Sequence, residues 1–133
     1  MKQLRCPCRN LVLARAAQEA KAVILTGRPG RFSAGFDLSV LNSGSNAARA
    51  LVTAGAKMLL QIFTHPQPVI AASTGHSIAA GAFMLLASDT RLGTEGDFKI
   101  GLNEVAIGMT LPEFGMMFAR ERLSKRHFTN AAI

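Results

Sequence analysis

Tryptophan and tyrosine are absent from this 133-residue chain, cysteine occurs twice, and acidic residues number only eight against fifteen basic ones. Each scarcity excludes something. Cys6 and Cys8 form a lone Cys-x-Cys with no second Cys/His pair. A metal centre is therefore not indicated, and two free thiols in a reducing compartment are expected. No apolar run is long: each is broken by Gly, Ser or Thr, so no membrane-spanning helix is expected. The opening MKQLRCPCRN is basic, but no continuous apolar core follows it. It does not read as a signal peptide, and a cytoplasmic location is expected.

The shortage of acids leaves a net charge of +7, with four cations in Arg120–Arg126 and three in Lys2–Arg9. Such clusters suit nucleic acid, yet no aromatic residue interleaves with them and no RNA- or DNA-binding motif accompanies them. A solvated helix face is the plainer reading, and nucleic acid is not the expected partner. A polyanionic small ligand would also suit this surface. Neither GxGxxG nor the GK[ST] of a P-loop occurs, so no phosphate cradle is indicated.

What is present is a 49% hydrophobic composition, enough for one globular domain. No internal repeat, low-complexity tract or linker is visible. Leu11–Lys21 is alanine-rich and helix-favouring. Ala22–Thr26 and Val69–Ser73 read as short buried strands, apolar on both faces. Gly27–Gly30 is a turn, Arg31–Leu38 a tight glycine-centred loop, and Asn42–Asn46 a polar break able to cap the next helix. Ala47–Phe63 carries Leu51, Ala54, Met58 and Ile62 at helical spacing, and ends at His65-Pro-Gln-Pro68. Gly75–Gly81 reads as a turn opening a helix to about Ala87. Asp89–Leu92 begins a third extended segment, Gly108–Pro112 is a turn, and Phe114–Arg126 is a final amphipathic helix. The alternation is that of an α/β fold.

The chemistry concentrates in residues 75–112. Glu104 is the one charge between Ile100 and Leu111. A carboxylate among apolar neighbours is hard to ionise, which moves its pKa towards the range of a general base. The small-residue turn before it opens a helix and supplies free N–H groups for an oxyanion. A second glycine-centred loop, Phe32-Ser-Ala-Gly-Phe-Asp37, follows the first strand, and each loop can offer one N–H to the same oxygen. Taken singly, each is no more than a turn.

Several segments together carry a resemblance. They are Phe32-Ser-Ala-Gly-Phe-Asp-Leu38, Pro68-Val-Ile-Ala-Ala72 leading to Gly75 and Ala79-Ala-Gly81, Ser88-Asp-Thr-Arg91, and Asn103-Glu-Val-Ala-Ile-Gly108 with Pro112. In order and spacing they resemble the crotonase superfamily, the enoyl-CoA hydratase/isomerase family. The resemblance runs from about Lys21 to the C-terminus. It implies an α/β fold with a ββα spiral core, incomplete at both ends. Residues 1–20 are then an atypical N-terminal segment and residues 21–133 a partial domain.

It also implies an acyl-CoA substrate and, for an intact chain, a homo-oligomeric trimer or hexamer. No metal or separate cofactor is expected, since coenzyme A is part of the substrate. By position, the oxyanion hole is formed by the backbone N–H groups of Phe36 and Ala80, with substrate contacts along Ser33, Ala34, Gly35, Asp37, Leu38 and Gly81. Glu104 matches one of the two glutamates of the hydratases. The other position is Phe83, which cannot transfer a proton. The Gly101-Leu-Asn-Glu104 context resembles the family's Δ3,Δ2-enoyl-CoA isomerases, which work with one glutamate there. Two alternatives stay open: a hydratase of fatty acid β-oxidation in which Glu113 or a water replaces the missing acid, and a non-catalytic fragment acting as an assembly or nucleic-acid-binding module.

Of the remaining polar residues, Asp37 and Asp89 are expected in loop and helix-end hydrogen bonds, Glu113 in a helix first turn, and His65 at a boundary. His76 sits beside the second loop, within possible reach of a ligand, and His127 belongs to the basic face. Arg28 and Arg31 flank the first loop as candidate partners of CoA phosphates. Met109, Met116 and Met117 with Phe114 and Phe118 suit core packing or an acyl tunnel.

Overall fold

The computed structural model describes residues 20–132. Cys6, Cys8 and nearly all of the expected helix over Leu11–Lys21 lie outside them. Six strands form two three-stranded sheets, and every pairing within them is parallel. The first sheet holds β1 (Val23–Thr26), β3 (Val69–Ser73) and β5 (Thr90–Gly93), in the order β1-β3-β5. The second holds β2 (Gly30–Ser33), β4 (Gly75–Ile78) and β6 (Ile100–Gly101), in the order β2-β4-β6. Each pair of successive strands therefore gives one strand to each sheet and is followed by helix. After β2 come α1 (Leu38–Leu41) and α2 (Ser45–Phe63). After β4 comes α3 (Ala80–Ala87), and after β6 come α4 (Glu113–Arg122) and α5 (Lys125–Ala132). The result is three turns of a ββα spiral, a structural repeat with no counterpart in the sequence.

The register follows from composition. β3 is central in its sheet and alternates between buried and half-buried residues, while in β1 Val23 is buried and Ile24, on the opposite face, is 65% exposed. The expectation that Ala22–Thr26 is buried on both faces is corrected accordingly. Two other segments taken for turn and loop prove to be strands: Gly75–Ile78 forms β4, and Gly30–Ser33 forms β2 beside it. The turn before β2 is closed by reciprocal Arg28 and Arg31 backbone bonds of 2.9 Å, with Pro29 and a positive-φ Gly30 between them. The sheets are joined where β3 passes to β4. Ser73 Oγ there donates to the Gly75 carbonyl at 3.0 Å and lies 2.9 Å from Ser77 Oγ.

The core fills the space between sheets and helices with Leu59, Ile62, Val69, Phe83, Phe118 and their neighbours. On α2 the buried positions are Gly55, Met58, Leu59 and Ile62, the i, i+3, i+4, i+7 stripe of a helix lying on a core. Ala54, expected on that stripe, is exposed and Gly55 faces inward instead. The polar break at Asn42–Asn46 supplies no side-chain cap to α2, whose N-cap is Gly44. The single helix expected over Phe114–Arg126 is two, broken where Leu123 is extended (φ −102°, ψ 143°).

Candidate active site

The first loop leaves β2 at Ser33, whose Oγ accepts from the Gly35 N–H at 3.3 Å. Gly35 has φ +93°, a conformation side chains disfavour. Phe36 follows, and then Asp37 caps α1, accepting from Ser39 N–H at 2.9 Å and Ser39 Oγ at 2.6 Å. Those bonds hold the Asp37 carboxyl below its ordinary range. Asp37 is thus the loop hydrogen-bonding residue the sequence suggested. Ala34 and Leu38 are exposed on either side of the half-buried Gly35 and Phe36.

The second loop is the junction of β4 and α3. Ala79 adopts φ 52°, ψ −120° at the N-cap of α3, a left-handed conformation that costs an alanine about 1–3 kcal/mol. It is pinned from both sides. Its N–H donates to the Gly101 carbonyl at 3.0 Å, and its own carbonyl accepts from Ala82 at 2.9 Å and Phe83 at 3.1 Å. Ala80 is then the first helical residue. Its N–H belongs to the turn that has no intrahelical acceptor and carries the positive end of the helix dipole.

The two loops touch. A Cβ placed on Gly35 would lie 3.0 Å from Ala79 Cβ and 3.5 Å from the Ala80 nitrogen. One placed on Gly81 would lie 2.6 Å from the Ser33 carbonyl oxygen. Glycine at these two positions lets the start of α3 close onto the end of β2, which brings Phe36 and Ala80 to the same junction. Among the described residues, neither N–H donates to a backbone or side-chain acceptor. An oxyanion hole is built from N–H donors left free in this way.

Glu104 belongs to the third turn of the spiral. The Gly101 carbonyl that anchors Ala79 lies three residues before it, which places Glu104 within about 11 Å along the chain. Its side chain is buried, 6% exposed, and Oε2 has no hydrogen-bond partner. Burial pushes the carboxyl above its ordinary range. The expectation drawn from the uncharged run around it holds. Val105–Ile107 forms a short 3₁₀ turn directly after it, and its own carbonyl accepts from Met109 N–H at 2.9 Å, so its backbone is fixed.

Phe83, three residues after Ala80, is 1% exposed. Its ring packs against Phe114 at 6.0 Å between centroids and covers Gly115 of α4, leaving no room for a Cβ there. The position that would hold a second acid is part of the α3–α4 core. Asp89 Oδ2 accepts from Val69 N–H at 2.8 Å and fixes the start of β3. His65 closes a local turn onto Gln67, at the expected boundary. His76 Nδ1 accepts from Lys99 N–H at 2.9 Å and its ring meets Phe98 edge-on, so it ties β4 to the approach to β6. Glu113 is exposed in the first turn of α4, and Arg28, Arg31 and His127 are exposed. Phe118 is core, but Met117 is 52% exposed and Met109 37%, so core packing does not hold for these two methionines.

A cavity of about 250 Å³ lies elsewhere, between α3, β5, β6 and the α4–α5 junction, and includes none of Phe36, Ala80 or Glu104. Among the described residues no cluster of His, Cys, Asp or Glu could hold a metal ion, and no helix is long and apolar enough to cross a membrane. Sequence reasoning missed the strained Ala79 and the inward Gly55 and Gly115. A glycine inside a strong helical pattern was the one available signal.

The chain as a whole is similar to known proteins. A family model described as Enoyl-CoA hydratase/isomerase matches residues 9–132. The crystal structure of an enoyl-CoA hydratase/isomerase family protein from Pseudomonas syringae is 44% identical, with a TM-score of 0.88, over 93% of this chain and 54% of that one. Human mitochondrial Δ3,Δ2-enoyl-CoA isomerase is 25% identical with a TM-score of 0.85, over 95% of this chain and 51% of that one. The fatty acid oxidation complex subunit alpha of Vibrio campbellii is 36% identical over 96 residues, 70% of this chain and 14% of that one. Solved relatives include both hydratases and isomerases by name, and the chain spans about half the length of those structures. The spiral of ββα turns, the paired loops and the family match lead to one conclusion: this chain belongs to the enoyl-CoA hydratase/isomerase family, of the crotonase superfamily.

Proposed function

We propose that the chain carries the catalytic core of an isomerase that converts 3-enoyl-CoA to 2-enoyl-CoA with Glu104 as its single base. The thioester oxygen rests between the Phe36 and Ala80 N–H groups. Glu104 takes a proton from C2, giving a dienolate that keeps C3=C4 and carries its negative charge on the thioester oxygen; C2=C3 replaces C3=C4, and the carbonyl re-forms, as C4 is protonated. Glu104 then returns the same proton to C4, so no atom is gained or lost. Each oxyanion donor contributes about 3 kcal/mol to such a step, and a positioned base roughly 10²–10⁴-fold in rate. The raised pKa of Glu104 suits both halves, because the carboxylate becomes a stronger base and its protonated form persists long enough to reprotonate. Coenzyme A enters as part of the substrate, and the homo-oligomer and cytoplasmic location expected from the resemblance belong to the same proposal.

One observation carries this reading: Glu104 is a buried carboxyl whose Oε2 has no hydrogen-bond partner among the described residues, while Phe83 is core at the position the resemblance gives to the second acid. Hydration needs two groups to place and activate water, whereas a proton shuttle needs one. The hydratase reading needs Glu113 or a water in place of the missing acid, and Glu113 is exposed at the start of α4. Side-by-side assays of 3-enoyl-CoA isomerisation and 2-enoyl-CoA hydration decide between them. Isomerisation should dominate and should disappear in Glu104→Gln. Dominant hydration, or isomerisation that survives this substitution, overturns the proposal.

A further inference from the structure

We infer that Gly55, in the middle of α2, is a positioning residue for the first oxyanion donor, acting through the ring of Phe36. The inference rests on the reading of Phe36 N–H as a donor. Glycine is a poor helix former, and within α2 it sits among alanine, lysine, methionine and leucine, which are good ones. Gly55 is nevertheless one of the four buried residues of that helix. The space its side chain would fill is occupied: a Cβ there would overlap the tip of the Phe36 ring, at Cζ and Cε1.

The contact has a specific consequence for the loop. Only Ala34, Gly35 and Phe36 separate the last residue of β2 from Asp37, the cap of α1. Gly35 at φ +93° supplies conformational freedom, and its one bond, to Ser33 Oγ at 3.3 Å, ties it back to β2 and not forward to Phe36. The Phe36 ring provides the anchor from outside the loop, because it seats on the backbone of a 19-residue helix that is itself fixed in the core by Met58, Leu59 and Ile62. The ring and the donor N–H sit on the same residue, so the notch at Gly55 sets where that N–H points. The second donor has no such need, since Ala80 is held by the hydrogen bonds on both sides of Ala79. The two donors are thus oriented by different means, one by packing and one by backbone bonds.

The test compares Gly55→Ala, Phe36→Ala and the double variant. Phe36→Ala keeps the N–H and removes the ring. Two readouts are taken: the backbone amide resonances of residue 36 and of Ala80, with and without acetyl-CoA as probe, and kcat and KM for 3-enoyl-CoA isomerisation. Gly55→Ala should move the residue-36 amide while leaving that of Ala80 in place. It should lower kcat by about 10²-fold, the effect of roughly 1 Å of misplacement, with KM changed by less than about three-fold. In the Phe36→Ala background, Gly55→Ala should add almost nothing to either readout. An unmoved residue-36 amide, or a Gly55→Ala effect of the same size with and without the ring, overturns the inference. A parent protein that neither turns over 3-enoyl-CoA nor shifts either amide with acetyl-CoA defeats the proposed function instead. The amide shift of the probe-free variants then still decides the Gly55–Phe36 coupling.

Discussion

Substituting Gly81 by alanine tests the junction on which the site depends. The added Cβ would lie 2.6 Å from the Ser33 carbonyl oxygen, 2.8 Å from Ser33 Cβ and 3.1 Å from its carbonyl carbon. Ordinary contact begins near 3.4 Å, so the start of α3 must retreat from β2 by somewhat under an ångström. All three neighbours belong to Ser33, and two are backbone atoms that cannot rotate aside. Ala80 directly precedes Gly81 in α3 and moves with it, which draws one donor away from the other. A displacement of this size at a reacting centre costs up to about 10²-fold in rate, so kcat should fall by about 10–100-fold. KM should stay within about three-fold, because the donor acts mainly on developing charge. Overpacking should destabilise by about 1–3 kcal/mol, and the helix preference for alanine returns about 1 kcal/mol of that. Steady-state isomerisation of 3-enoyl-CoA, read beside thermal denaturation, measures both. A Gly81→Ala protein with kcat within about two-fold of the parent would refute the argument that this contact sets the donor geometry.

Two more predictions follow from the same region. Ala79→Gly removes the penalty of φ 52°, about 1–3 kcal/mol, against about 0.4–1 kcal/mol of added unfolded-state freedom. Denaturant titration should show a net gain, and a loss of stability would show that the alanine is unstrained. For Glu104 the sign follows from its raised pKa: the folded chain holds this proton more tightly than the unfolded chain. The stabilisation tied to that proton is complete below the ordinary carboxylate range and is lost as pH rises through the raised folded value. Glu104→Gln should therefore be more stable than the parent at neutral pH, with the difference closing in acid. The acidic limb of kcat/KM in the parent should lie above the ordinary carboxylate range. Equal stability of the two proteins across that range would contradict the burial argument.

How much of this was legible in the sequence differs by element. Val69–Ser73 was plain, because a β-branched start between proline and glycine leaves little but a strand. β2 and β4 were not, because Gly30-Arg-Phe-Ser33 and Gly75-His-Ser-Ile78 begin with glycines whose local preference is for turns. They are strands because they pair with each other: the place of a Cβ on Gly75 is taken by the backbone of Gly30, a long-range fact that no local window contains. The break between α4 and α5 lies beside Ser124, whose carbonyl accepts from His127 and Phe128 in the new helix. No proline or glycine marks it in the sequence. Glu104 was legible as a buried acid from its uncharged surroundings. Phe36 and Ala80 came from resemblance alone, since a backbone donor leaves no trace in side-chain chemistry. Gly55 was misplaced by one residue for a related reason, as its partner is 19 positions away in a loop.

The spiral also fixes the order in which competence can arise. The first turn of ββα contributes Phe36, the second Ala80 and the third Glu104. Adjacent turns touch through their parallel strands, so each site member waits for its own turn to dock on the one before. A chain emerging from the ribosome would complete the anion-holding half once the second turn docks, and would gain its base only when β6 pairs with β4. The same order runs in reverse when the fold opens locally. Fraying of the two-residue β6 would loosen the segment that carries Glu104 first, so under the proposed function thioester binding would outlast proton transfer.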